Sequence, residues 1–179
     1  MISIVDTKIE DVKIIIPQIF SDNRGYFFES YNEDQFVQKI GKVNFIQDNE
    51  SKSTFGVLRG LHYQDEPNCQ SKLVRVIKGE IQDIAVDIRK ESKTYLEYIS
   101  VNLSSKNKKQ LYIPKGFAHG FLVLSSEAIV CYKVDKYFDL KLDKGIRYND
   151  PQININWKLN NNQIKLSDKD KLLPLVNQI

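Results

Sequence analysis

Cysteine is scarce in this sequence: Cys69 and Cys131 are the only two in 179 residues. They lie far apart and outside any Cys-x-x-Cys spacing, which argues against a disulfide scaffold and a structural zinc cluster. Long apolar runs are missing as well. None approaches the roughly 18 residues that a membrane-spanning helix needs, so no membrane role is expected. Charge of one sign is not in excess: 26 Lys and Arg stand against 23 Asp and Glu, a net +3. The densest basic cluster, Lys106, Lys108 and Lys109, has no interleaved aromatics, so nucleic acid is not an expected partner. The mild basic excess suits small anions such as nucleotide diphosphates. Low-complexity tracts, internal repeats and Pro/Gly-rich linkers are also absent. Met1 to Lys13 carries acidic residues early and lacks a basic-then-apolar signal pattern, so a cytosolic location is expected.

What is present is the composition of a globular chain: 41% hydrophobic, 27% charged and 11% aromatic residues in 20.8 kDa. That supports one domain over residues 1–179 with a sizeable core. Glycines punctuate short apolar runs. Ile99, Val101 and Leu103 alternate with Ser100 and Asn102, the period of a half-buried strand. Leu73 to Ile77, Ile81 to Ile88, Phe121 to Leu124, Ala128 to Val134 and Val12 to Ile16 read as further strands, with Lys78-Gly79-Glu80 as a turn. Asn32 can cap a helix bearing Phe36, Val37 and Ile40 on one face, and Ser167 can cap a short C-terminal one. Many short strands with few helices predict an all-β sandwich or barrel, not a doubly wound α/β fold.

The chain has two histidines, His62 and His119. An isolated histidine is commonly structural, but both are flanked by glycines and by cationic or aromatic side chains, as site residues often are. Arg59 precedes His62 by three positions, which puts them on opposite faces of a regular strand unless Gly60 disturbs the alternation. Imidazole titrates near neutral pH and suits a general base, and it works best with a carboxylate fixing its tautomer. Asp83, Asp87 and Asp170 are the candidates, and their neighbourhoods do not choose among them. Asp83 and Asp87 share a strand face, expected to be a solvent-facing edge. Asp170 follows Ser167 at capping-box spacing, which locally favours a cap. Tyr132, mid-strand, reads either as a sheet aromatic or as a general acid. Lys72 reads as a strand-end charge or as a cation for an enolate oxygen. Arg24, Arg59 and Lys72 together suit a diphosphate, although Asp22-Asn23-Arg24-Gly25 is also a hairpin turn.

Two strings bear on metal binding. Pro114-x-Gly116-x-x-His119 resembles the second motif of the cupin superfamily, but His62-Tyr63-Gln64 stands where that superfamily's metal-binding members carry His-x-His. No metal is expected. A wider resemblance then emerges. Phe20 to Ser30, Gln47-Asp48-Asn49, Val57 to Gln64, Lys72 to Val76, Ile113 to Phe121, Tyr132-Lys133, Asn149-Asp150 and Leu166 to Asp170 follow the order of motifs in the dTDP-4-dehydrorhamnose 3,5-epimerases. The similarity runs over nearly the whole chain.

The resemblance implies a cupin-like jelly roll, that is, a double-stranded β-helix with a few short helices, acting as a homodimer without a cofactor. It implies conversion of dTDP-4-dehydro-6-deoxy-D-glucose to dTDP-4-dehydro-L-rhamnose, a step towards surface polysaccharide. His62 would be the base with Asp170 as its partner, Tyr132 the acid, and Lys72 the cation at the enolate oxygen. His119 would contact the sugar. Arg24, Glu29, Gln47, Asn49, Arg59 and Lys169 match nucleotide- or substrate-contacting positions, part of them reaching over from the partner subunit. Three positions depart from the family pattern. Phe138 replaces a Tyr that stacks on thymine, Asp143 replaces a substrate-contacting Glu, and Tyr148 replaces a Trp. Alternatives from the same residues are an epimerase of one carbon or of another 4-keto sugar nucleotide, a non-catalytic sugar-nucleotide-binding jelly roll, and a metal-dependent cupin oxygenase.

Overall fold

The computed structural model describes all residues from Met1 to Ile179. Thirteen strands form in chain order: β1 (Ile2–Asp6), β2 (Lys13–Pro17), β3 (Phe20–Asp22), β4 (Gly25–Phe27), β5 (Gln47–Thr54), β6 (Leu58–Gln64), β7 (Lys72–Lys78), β8 (Glu80–Asp87), β9 (Tyr98–Ser104), β10 (Gln110–Ile113), β11 (Phe117–Val123), β12 (Glu127–Val134) and β13 (Asp143–Gly145). Two short α-helices join them, α1 (Glu33–Lys39) and α2 (Asp168–Lys171). Six strands make one antiparallel sheet in the order β1-β2-β10-β7-β12-β5, and five make a second in the order β13-β6-β11-β8-β9. From β5 to β8 and again from β9 to β12 the chain alternates between the two sheets, which is the winding of a jelly-roll double-stranded β-helix.

The two sheets face each other over an apolar core. Val74, Val76, Leu111, Ile113, Ala128 and Val130 from one sheet meet Ile81, Ala85, Ile99, Leu103, Phe117 and Phe121 from the other. Burying each large aliphatic side chain contributes about 1.5–3 kcal/mol. The outer faces are covered too. Ile84, Val86 and Ala118 pack outward against Ile146, Ile153 and Val176 of the C-terminal region. Ile15, Leu73 and Tyr112 pack under Phe36 of α1. Asn32 caps α1, with its side chain accepting from the Gln35 N–H, as the pattern predicts. Val37 departs from the expected apolar face: it is exposed, and Phe36 alone is buried in the helix.

Asp83 and Asp87 share the inner face of β8 with Ile81 and Ala85, and both are fully buried, which overturns the solvent-edge expectation. Asp87 accepts from Arg89, Ser92 and Thr94 and pins the following loop. Those donors hold its carboxyl at about 2 although burial acts the other way.

Candidate active site

At one end of the sandwich the inward-facing side chains change from apolar to polar and enclose a cavity of about 660 Å³. Three elements of the six-stranded sheet form one wall. Gln47, Asn49 and Ser51 line it at the period-two spacing of β5, beside Tyr132 on β12 and Lys72 on β7. The five-stranded sheet supplies Arg59, His62 and Gln64 from β6 and His119 and Phe121 from β11. Phe138, Asp143, Lys169 and Asp170 close the rim.

Arg59 and His62 reach the same cavity because β6 is irregular between them. His119 pairs with His62 and Phe121 with Arg59, so three steps on β6 oppose two on β11. This is a bulge, and it cancels the opposite-face expectation. Gly60 makes it possible. Its φ is +131°, and a Cβ there would lie 2.6 Å from the Gly120 Cα.

His62 Nε2 lies 2.6 Å from Asp170 Oδ1, which leaves Nδ1 without a protein partner. Asp170 is 3% exposed, so its carboxylate is tied to the imidazole and screened from water. Burial acts to raise its pKa, but bonds from His62, Ser167 and the Gly60 N–H outweigh it and hold the carboxyl below its ordinary value. The capping expectation holds for half of the residue. Ser167 Oγ accepts from the Asp170 backbone N–H, while the carboxyl, which also takes a bond from the Ser167 side chain, reaches His62. Of the three carboxylates open in the sequence, the fold thus gives Asp170 to His62. Asp83 goes to His119, at 2.8 Å, and Asp87 serves its own loop.

Lys72 is buried and enters no salt bridge. Burial pushes its ammonium down to about 8, against the pull of Asp83 and Asp143. Burial raises the Tyr132 phenol above its usual value, Arg59 opposing and Asp143 adding to the rise. Asp143 forms an ion pair with Lys169 and accepts from Gln64 at 3.4 Å. No group of three or more His, Cys, Asp or Glu side chains is arranged to hold a metal ion.

Arg24 and Glu29 are not brought into this cavity. Arg24 tips the exposed β3–β4 hairpin and pairs with Asp22, so the expected grouping of Arg24 with Arg59 and Lys72 does not occur within one chain. Glu29 accepts from Asn32 and Gln35 beside α1. Conversely, Ser51 and Gln64 line the cavity without having been singled out in the sequence. Each lies two positions beyond a predicted site residue on the same strand, and that spacing was the available signal.

Comparison with known proteins completes the identification. The sequence profile of the dTDP-4-dehydrorhamnose 3,5-epimerase family matches residues 6–178. The Shigella flexneri dTDP-4-dehydrorhamnose 3,5-epimerase is 53% identical over 94% of this chain and 92% of its own length. The Salmonella typhimurium protein of that name is 50% identical over 99% and 97%. A Legionella pneumophila dTDP-6-deoxy-D-glucose-3,5-epimerase, crystallised with dTDP-4-keto-L-rhamnose, superposes with a TM-score of 0.97 at 46% identity, covering 100% of this chain and 95% of that one. With its jelly-roll sandwich, its profile match and these relatives, the chain belongs to the dTDP-4-dehydrorhamnose 3,5-epimerase family.

Proposed function

We propose that this protein inverts C3 and C5 of dTDP-4-dehydro-6-deoxy-D-glucose, giving dTDP-4-dehydro-L-rhamnose, through proton transfers made by its own side chains. The observation that carries the assignment is the opposition of His62–Asp170 on one wall of the cavity to Tyr132 on the other. The C4 ketone acidifies the protons at C3 and C5, yet they remain far weaker acids than imidazolium. Removal therefore needs a positioned base and a positive group at the developing oxyanion. His62 Nδ1 takes the proton, Asp170 steadies the resulting imidazolium, and the Lys72 ammonium stabilises the enolate oxygen. Inversion requires the new C–H bond to form on the opposite face, and the Tyr132 phenol delivers that proton. The imidazolium and phenolate then exchange protons with solvent, and the cycle repeats at the second carbon.

His119 contacts the sugar. Arg59, Gln47, Asn49 and Lys169 hold the nucleotide diphosphate and its base, with Phe138 stacking on thymine. Arg24 and Glu29 join the set from a second copy of the chain. Support for this homodimer comes from the β3–β4 hairpin, whose Phe20, Tyr26 and Phe27 are exposed, Phe27 at 67%, beside a charged tip that has no role in its own cavity. Residues 1–179 act as one domain in a cytosolic setting, where such a charged substrate is retained. To test the function, the purified chain is incubated with the 4-ketone, a keto-reductase and reduced nicotinamide coenzyme. Accumulation of the L-rhamnose nucleotide is expected, and a D-configured product overturns the assignment.

The pH dependence follows from Lys72. As pH rises through about 8 its ammonium loses a proton, so kcat/KM should fall on the alkaline side. Tyr132, raised by burial, remains a proton donor over that range. Lys72→Met should lower kcat by about 10²-fold or more and abolish this alkaline limb. An unchanged limb in the variant assigns it to another group.

A further inference from the structure

The Asp170 carboxylate sits on a helix of only four residues, α2, which is too short to hold itself in place. Upstream, the segment is tied at Lys165, whose N–H donates to the Gly56 carbonyl at 2.8 Å and whose carbonyl accepts from the Leu58 N–H at 3.0 Å. Downstream, the ties all come from one stretch, Gly145 to Asp150. The Arg147 N–H donates to the Pro174 carbonyl at 2.8 Å and its Nε to the Leu173 carbonyl at 3.0 Å. Asp150, 1% exposed, accepts from the Val176 N–H at 2.8 Å through Oδ2. Its Oδ1 accepts from the N–H groups of Gln152 and Ile153, so both oxygens are committed.

The same stretch is joined to the strand that carries the base. Gly145 pairs with His62, and Ile146 exchanges backbone hydrogen bonds with Leu61. Leu173 lies against the bare Cα of Gly145, where a Cβ would fall 2.8 Å from Leu173 Cδ2. Residues 145–150 are therefore bonded to His62's strand on one side and to the anchor of α2 on the other.

We propose that Arg147 and Asp150 are positioning residues, which register the Asp170 carboxylate on His62 by gripping the chain just beyond α2. The proposal rests on the reading of His62–Asp170 as the base pair. Neither side chain lines the cavity, so both act through Asp170. A misplacement on the order of 1 Å at a catalytic pair costs about 10²-fold in rate. Loosening the grip should therefore act on kcat and leave nucleotide binding alone.

The test compares Arg147→Met, Asp150→Asn and Asp170→Asn, singly and with Arg147→Met combined with Asp170→Asn. Arg147 is only half-buried, so its variant keeps the decision open if Asp150→Asn does not fold. Arg147→Met should lower kcat about 10- to 100-fold, with the dissociation constant for dTDP unchanged, and should add no further loss in the Asp170→Asn background. Arg147→Lys, which restores a donor for the Leu173 carbonyl, should recover part of the rate. Wild-type kcat in Arg147→Met, or losses that multiply in the double variant, overturn the positioning role. Wild-type kcat in Asp170→Asn overturns the base-pair reading itself, so the two failures are told apart.

Discussion

His62→Ala should abolish measurable epimerisation while dTDP still binds with near wild-type affinity. The variant removes the nitrogen proposed to accept the C–H proton, and general-base catalysis of this kind contributes about 10²–10⁴-fold. Nucleotide affinity should survive, because the groups proposed to hold the nucleotide are spread over β5, β6 and the rim and do not depend on the imidazole. The Asp170 carboxylate loses its strongest partner in this variant but keeps Ser167 and the Gly60 N–H. Solvent deuterium should no longer enter the substrate at either carbon. Full activity in His62→Ala, read by the coupled reductase assay, removes His62 from the role of base.

Tyr132→Phe should separate deprotonation from inversion. The base, its carboxylate and the Lys72 cation all remain, so His62 still removes a proton and exchanges it with solvent. The enolate then has no donor on its far side and takes the proton back from His62 on the face that lost it. Deuterium should enter without change of configuration, while inverted product falls by about 10²-fold or more. Equal loss of exchange and of product would assign Tyr132 to substrate binding or to the deprotonation step. The desolvated phenol supports the acid role, since burial keeps its proton on until a basic carbanion takes it.

How much of this was legible in the sequence depended on what each strand faces. β7, β9 and β12 were readable because at least one face packs on apolar neighbours. β5 was not read as a strand, and the reason is chemical. Its eight residues, Gln47 to Thr54, contain no apolar side chain, because the inner face lines a polar cavity while the outer face is largely exposed. The hydrophobic period that announces a strand is missing wherever the strand lines a polar cavity instead of the core. The opposite failure occurs at β8, where Asp83 and Asp87 are buried on the inner face of a strand covered on both sides. Periodicity did not show that the face carrying Asp83 and Asp87, shared with Ile81 and Ala85, is the one turned towards the other sheet, because that packing joins distant parts of the chain.

The site was legible as residue types and only partly as geometry. Asp170 has two hydrogen-bonding halves, and local spacing speaks only for the backbone half, which does meet Ser167. Its carboxyl meets a histidine 108 positions away, which no local pattern encodes. Arg59 and His62 share a cavity only through the bulge at Gly60. Arg24 reads as a diphosphate ligand and as a hairpin tip. Within one chain the hairpin reading prevails, and the ligand reading requires a second copy.

The central claim, a base and an acid on facing sheets around one 4-keto sugar, is tested most directly by proton NMR of dTDP-4-dehydro-6-deoxyglucose with the protein in D₂O. The account predicts that deuterium replaces protium at both C3 and C5 and that both centres invert. Exchange confined to one carbon, exchange at both without inversion, or no exchange at all would contradict it.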